Sequence, residues 1–188
     1  MPAPHLTPLR RLVRRLTPLA RDQRGLAAVE FALIAPVMVL LYCGLVEFTM
    51  AMMAERRVAH TASVIADLVA QTPQIKGSDI TDVFTVGGSI LSPFPSAPLK
   101  MRITSVIADV NAVPTVSWSQ GQGLSALPVN STVTVPNNLL AAGDSVVMAD
   151  VQYNFTSPLQ IVLPNALNFT STFYLKPRRS PSVTLLAG

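Results

Sequence analysis

The sequence predicts an α+β fold, in which a long N-terminal helix crosses a membrane and a small antiparallel β-sheet domain follows it. Three observations predict this class. Residues 26–46 are apolar over a membrane length, residues 55–71 are apolar on one side only, and from residue 99 onward apolar and polar residues alternate. Periods near 3.6 and 2 are typical of amphipathic helices and half-buried strands. We divide the chain into a basic leader (1–25), a membrane helix (26–54), an amphipathic helix (55–72) and an exported α+β domain (73–188).

The leader carries the positive charge of the chain. It holds six arginines and one aspartate, whereas residues 26–188 hold eight Lys or Arg against nine Asp or Glu. The remainder therefore has no basic stripe that could follow a phosphate backbone. This distribution argues against nucleic-acid binding.

A membrane-spanning helix is predicted to begin at Leu26. The apolar stretch reaches 21 residues at Val46, close to the ~20 that cross a hydrocarbon core of ~30 Å. A cleaved secretory signal has a shorter apolar stretch, of ~7–15 residues. The leader arginines predict a cytoplasmic N-terminus, because positive residues favour that side of the membrane, and Arg56 and Arg57 weaken this bias without reversing it. Pro36 lies within the span, where a membrane helix tolerates proline.

Two glutamates lie in or beside this apolar stretch, and an acid in such a setting is costly enough to need an explanation. Glu30 is the fifth residue after Gly25. Glu47 comes 17 residues later, or ~25 Å along a helix that rises ~1.5 Å per residue. We therefore expect one acid near each face of the bilayer, with the Glu47 side chain extending to the membrane–water interface.

Residues 24–54 resemble the TadE-like family of Tad (tight adherence) pilus pseudopilins. The segment reads RGLAAVEFALIAPVMVLLYCGLVEFTMAMMA. Its similarity to the family lies in the Arg-Gly start, the VEFAL run around Glu30, the proline in the span and the second Glu-Phe pair, Glu47-Phe48. The resemblance implies a pilin-like fold, in which the helix carries an exported domain.

The resemblance also implies that a prepilin peptidase cleaves the chain after Gly25, on the cytoplasmic face. The mature chain would begin at Leu26, with Glu30 as its fifth residue. Glycine suits such a site because, without a Cβ, the peptide can lie extended and close to a protease. Cleavage would free a positive α-amino group, which the Glu30 carboxylate of a neighbouring subunit could pair with. The implied partners are the peptidase, other Tad pilus subunits, the inner-membrane assembly platform and the membrane.

The helix is predicted to continue beyond the membrane to about Gln71 and to end before Pro73. Its buried face is marked by apolar residues at steps of three and four, namely Val58, Ala62, Ile65 and Val69. Such one-sided periodicity is typical of a helix that packs against a domain. The inner half would pack with other helices, and the outer half would support the exported domain.

The exported domain is predicted to contain one short helix and five strands. Ser78-Asp79 could cap the helix, which reaches about Leu91, and the segment 92–98 is a linker or turn. Strands are expected near 99–110, 114–120, 131–135, 144–156 and 168–176. We expect Trp118 to fill the core or lie on the sheet surface. The basic residues around Pro177 are expected to be solvated.

The predicted function is structural: a minor pilin or pseudopilin in the bacterial inner membrane that takes part in pilus assembly and surface adhesion. The alternative is an uncleaved single-pass membrane protein with an exported binding domain. An enzyme is not expected, because the only histidines are His5 and His60 and no catalytic triad or phosphate-binding loop is present. No cofactor or metal is expected either. The lone Cys43 permits no intramolecular disulfide.

Overall fold

The computed structural model of the protein describes residues 25–186. All of the predicted leader except Gly25 therefore lies outside the described residues. The described chain divides into two compact units, of which one ends at Leu45 and the other begins at Val46. The elements in chain order are α1 (Leu26–Ala70), β1 (Gln74–Lys76), α2 (Gly77–Ile90), β2 (Leu99–Ala108), β3 (Pro114–Gln122), β4 (Ser145–Phe155), β5 (Leu167–Leu175) and β6 (Thr184–Leu186).

Helix α1 is continuous over 45 residues and contains Pro36. In the first unit its apolar side chains are exposed on every side. Within residues 25–186 it is the one helix long and apolar enough to cross a membrane, judged by length and composition. This is compatible with a single-pass membrane protein. The segment boundaries predicted at residues 54 and 72 stay predictions, because the division into two compact units does not show where a bilayer lies.

In the second unit, α1 is buried along one face. The buried positions recur at helical spacing and include Ala54, Val58, Ala62, Ile65 and Val69. They share a hydrophobic core with the β-sheet and with α2. The predicted amphipathic extension is therefore confirmed, and α1 ends at Ala70, one residue before the expected end and three residues before Pro73.

The sheet is antiparallel and four-stranded, with the order β3-β2-β4-β5. Ile103 in β2 lies opposite Ala149 in β4, which in turn lies opposite Phe173 in β5. Trp118 in β3 is buried in the core, as one of its two predicted placements required. The long helix followed by this sheet confirms the predicted α+β class.

The strand predicted at 131–135 is wrong. Only an isolated bridge between Thr115 and Thr132 forms there. Asn130 has a positive φ that turns the chain just before this segment, and Pro136, which has no backbone N–H, follows it. The five residues between Asn130 and Pro136 alternate as a strand would, but they are too few to form a regular ladder of hydrogen bonds with a neighbouring strand.

A second, two-stranded parallel sheet joins β1 to β6, with Ile75 opposite Leu185. The sequence did not predict it, because strands of three residues are too short to show a period. It fixes the end of the described chain beside the segment that follows α1. The basic residues of the tail are exposed, as expected, and two of them form ion pairs at the surface, Lys176 with Asp144 at 2.7 Å and Arg178 with Asp67 at 2.6 Å.

Helix α2 packs closely against the core at Gly87. A Cβ at this position would lie 2.7 Å from Met101 Sδ, 3.1 Å from Ile65 Cγ2 and 3.3 Å from Thr61 Cγ2. Glycine is unfavourable inside a helix, and close packing on α1 and β2 explains its presence at this position. At the other end of α2, Asp79 accepts a hydrogen bond from the Lys76 backbone N–H at 3.0 Å. The acid of the predicted Ser78-Asp79 cap therefore caps the helix from inside its first turn.

Candidate processing and assembly site

The predicted processing junction lies at the start of α1. Gly25 is exposed and Leu26 is the first residue of the helix. A Cβ added at Gly25 would meet no atom within 4 Å, and its φ is not in the left-handed region. Neither packing nor backbone conformation within the described chain therefore requires glycine at this position.

Glu30 lies just over one helical turn beyond the junction, among exposed apolar side chains. Val29, Phe31, Leu33 and Ile34 surround it along the helix, and all are more than half exposed. Glu30 is itself exposed. It makes no hydrogen bond or ion pair with any residue between 25 and 186. The acid therefore presents a charge on an apolar helix surface, and a partner for it would have to come from elsewhere.

Glu47 has the opposite environment, although it begins a second Glu-Phe pair. Its side chain is fully buried. The carboxylate accepts three consecutive backbone hydrogen bonds, from Ile161 N at 2.7 Å, Val162 N at 3.1 Å and Leu163 N at 2.6 Å. Contrary to expectation, the Glu47 side chain therefore does not extend to water, because the chain itself supplies donors for both oxygens; the expected position of Glu47 near the outer face of the bilayer stays a prediction. Phe48, the next residue, is exposed.

The loop that binds Glu47 is shaped to present its backbone donors. Gln160 has a φ of 53°, and successive N–H groups around a left-handed residue form a concave anion-binding nest. The buried Ser157 Oγ accepts the two preceding N–H groups, from Leu159 at 3.4 Å and Gln160 at 3.5 Å. Sequence reasoning missed this contact, because Glu47 and Ile161 are 114 residues apart. The loop also has no charged residue that would indicate a partner for the Glu47 carboxylate.

A second polar network lies on the sheet. Arg102 in β2 donates to Asp150 in β4 at 2.7 and 3.0 Å, and Thr172 in β5 donates to the other Asp150 oxygen at 2.7 Å. Arg102 also donates to the Ser125 carbonyl at 3.2 Å. Two N–H groups of Arg102 donate to the same oxygen, Asp150 Oδ2, and charge-assisted hydrogen bonds of this kind are stronger than neutral ones. The network links three strands, and every oxygen of Asp150 is occupied, so its evident role is structural.

Metal-binding clusters and grooves were the remaining candidates for a site. Among residues 25–186, no group of three or more His, Cys, Asp or Glu side chains could hold a metal ion. A groove of about 410 Å³ beside α2 is lined by residues such as Thr85, Ser89 and Gln122. None of the residues that line it is an acid or a base.

The fold and the junction define a class of protein in which an apolar helix of membrane length is joined to an α+β domain and carries, near its start, an acid that has no partner within residues 25–186. The family model described as TadE-like protein matches residues 25–67. The match confirms the resemblance predicted from residues 24–54 and indicates a Tad pilus-related protein. It covers the junction and most of α1, just under a quarter of the chain. Comparisons with curated proteins and with solved structures give no significant match.

Proposed function

We propose that this chain is a minor pilin or pseudopilin of a Tad-type pilus, processed after Gly25 and assembled through α1. The observation that carries the proposal is Glu30, an exposed acid without a partner in the described chain, on an apolar helix that the TadE-like family model covers. An unpaired carboxylate on a membrane-length helix is expensive and therefore calls for a function.

Cleavage would supply the missing partner. It frees a positive α-amino group at Leu26, four residues before Glu30. In a bundle of such helices, the amino group of one subunit can pair with the Glu30 carboxylate of its neighbour. Either charge left alone in an apolar setting costs several kcal/mol. The pair would therefore favour one axial register between neighbouring helices.

The two halves of α1 suit two tasks. The half in the first unit is apolar and exposed on every side, as a helix that packs with lipid and other helices requires. The half in the second unit belongs to the core of the α+β domain. We propose that the first half anchors and assembles the subunit in the bacterial inner membrane, and that the second carries the domain outside. The chain would be the substrate of the prepilin peptidase and would catalyse no reaction itself.

The experiment that tests the proposal is N-terminal sequencing of the protein extracted from membranes of cells that contain a Tad prepilin peptidase. We expect the sequence to begin at Leu26. Gly25→Leu should abolish this start. Gly77→Leu is the matched control, because a Cβ at Gly77 likewise meets no atom within 4 Å, and it should leave cleavage unchanged.

The same experiment separates the proposal from its alternative. An uncleaved single-pass membrane protein would keep a start upstream of Gly25 in cells with an active peptidase. That result, obtained for the unsubstituted chain, would refute processing. Cells that lack the peptidase provide the uncleaved reference. Recovery of the cleaved subunit in sheared pili, as opposed to the membrane fraction, would then show whether it enters the fibre.

A further inference from the structure

The loop Leu159–Leu163, here called the apolar loop, exposes apolar side chains next to Glu47. The exposed fractions are 44% for Leu159, 51% for Ile161 and 49% for Val162. Residues 157–166 contain no charged residue. A cluster of exposed apolar side chains of this kind marks a surface for a partner or a membrane.

The backbone N–H groups of the apolar loop do not need water as an acceptor. All five N–H groups from Leu159 to Leu163 have acceptors, either the Ser157 hydroxyl or the Glu47 carboxylate. Irregular backbone enters an apolar phase only where its polar groups are satisfied by the protein itself. The loop therefore directs its N–H groups inward to one buried carboxylate and keeps apolar side chains at the surface.

The position of Glu47 in the chain indicates the depth of this loop relative to a bilayer. Glu47 directly follows Val46, the last residue of the uncharged run that begins at Phe31. Three hydrogen bonds of 2.6–3.1 Å hold the apolar loop to Glu47. If the apolar run crosses the bilayer, the loop is therefore held at the level where the chain leaves the hydrocarbon on the outer side.

We propose that the apolar loop inserts Leu159, Ile161 and Val162 into the outer boundary between lipid headgroups and acyl chains, with the lipid surface as its partner. The loop has no charge for an electrostatic partner, and its attachment to the end of the apolar run favours lipid over another protein surface. Glu47 acts as the internal counterpart that makes this insertion possible. The proposal requires α1 to cross a membrane, but it depends on neither cleavage at Gly25 nor pilus assembly.

The test uses the full chain in phosphatidylcholine liposomes, with Cys43→Ser as background. A single cysteine is introduced as Ile161→Cys or Val162→Cys and labelled with an environment-sensitive fluorophore. Val110→Cys is the matched control, because Val110 is 89% exposed and lies in the turn after β2. We expect lipids spin-labelled near the headgroup to quench the labels at 161 and 162, with emission shifted to the blue. Aqueous iodide should quench the label at 110 alone.

Two outcomes would overturn the proposal. Iodide quenching at 161 and 162 equal to that at 110 would place the loop in water. Protection from iodide without quenching by spin-labelled lipid would show that protein, such as a second copy of this chain, covers the loop. Flotation of each variant with the liposomes establishes membrane insertion beforehand, so a failure of the anchor is distinguished from a failure of the loop.

A second variant tests the role of Glu47. Glu47→Gln replaces one acceptor oxygen with an NH₂ group that faces N–H donors. We expect the label at 161 to lose its quenching by lipid and to become accessible to iodide, while the label at 110 is unchanged. Retained lipid quenching in Glu47→Gln would refute the claim that the carboxylate holds the loop in place.

Discussion

Truncation of Ile65 tests whether the outer half of α1 belongs to the core of the exported domain. Ile65 is fully buried, and its Cγ2 lies 3.1 Å from the place where a Cβ on Gly87 would be. Ile65→Ala removes three carbon atoms, worth about 2.4 kcal/mol at about 0.8 kcal/mol per buried CH₂. The residual cavity adds to this, so we expect a loss of about 3 kcal/mol, within the about 2–5 kcal/mol typical of such truncations.

The assay is urea unfolding of the full chain in mild detergent, followed by the emission of Trp118. This is the sole tryptophan, and it is buried in the same core. Ile65→Val should give an intermediate loss of about 0.5–1.5 kcal/mol. Val86→Ala on the exposed side of α2 is the control and should change stability by less than about 0.5 kcal/mol. An Ile65→Ala effect no larger than that of the control would refute the assignment of α1 to the domain core.

Three further predictions follow from the site and the packing. Glu30→Gln should leave processing intact but reduce the amount of the subunit recovered in sheared pili. Glu55→Gln, at another exposed acid of α1, should not reduce this amount. Equal recovery of both variants would contradict the role given to Glu30. Gly87→Leu should destabilise the domain by about 1–3 kcal/mol, as overpacked cores do, whereas Gly77→Leu should not, and equal urea midpoints would contradict the close packing of α2. The hydrogen bond from Lys176 lowers the pKa of Asp144 below the ordinary 3.8, so the pair stabilises the fold above pH 3.8 and this contribution is lost as the pH falls through the lowered pKa. Asp144→Asn should therefore lower the urea midpoint at about pH 6 and have little effect at a pH below the lowered pKa, where Asp144 is protonated. An equal effect above and below the pKa would contradict an ionic contribution.

Local patterns predicted the elements that local physics determines. The helical spacing of Val58, Ala62 and Ile65 reports burial directly, and Pro73 stops a helix whatever the tertiary context. The alternation around Ala149 and Val151 likewise predicted a strand, although the structure also buries the other face of its first half, through Val146 and Met148. Gly87 lowers the intrinsic helix preference of α2, yet the helix continues through this residue and packs there against α1 and β2. Tertiary contacts there override the local preference.

Contacts between distant segments could not be predicted in this way. The Glu47 carboxylate finds its donors 114 residues away, and no local period encodes that distance. The pairing of Ile75 with Leu185 is equally remote in sequence. Conversely, the alternation at 131–135 gave a strand signal that Asn130 and Pro136 override. A single sequence shows each residue of such a pair but does not show that the two residues are in contact.

The two Glu-Phe pairs of α1 give the strongest argument for the proposed role. Both acids lie in or beside the same apolar stretch, so both face the same cost of a charge without donors. For Glu47 the chain meets that need itself, through the backbone of Ile161–Leu163. For Glu30 there is no donor between residues 25 and 186, although the same chain supplies backbone donors for Glu47. We propose that the donor for Glu30 lies outside residues 25–186, and that it is the α-amino group that cleavage after Gly25 would create on a neighbouring subunit.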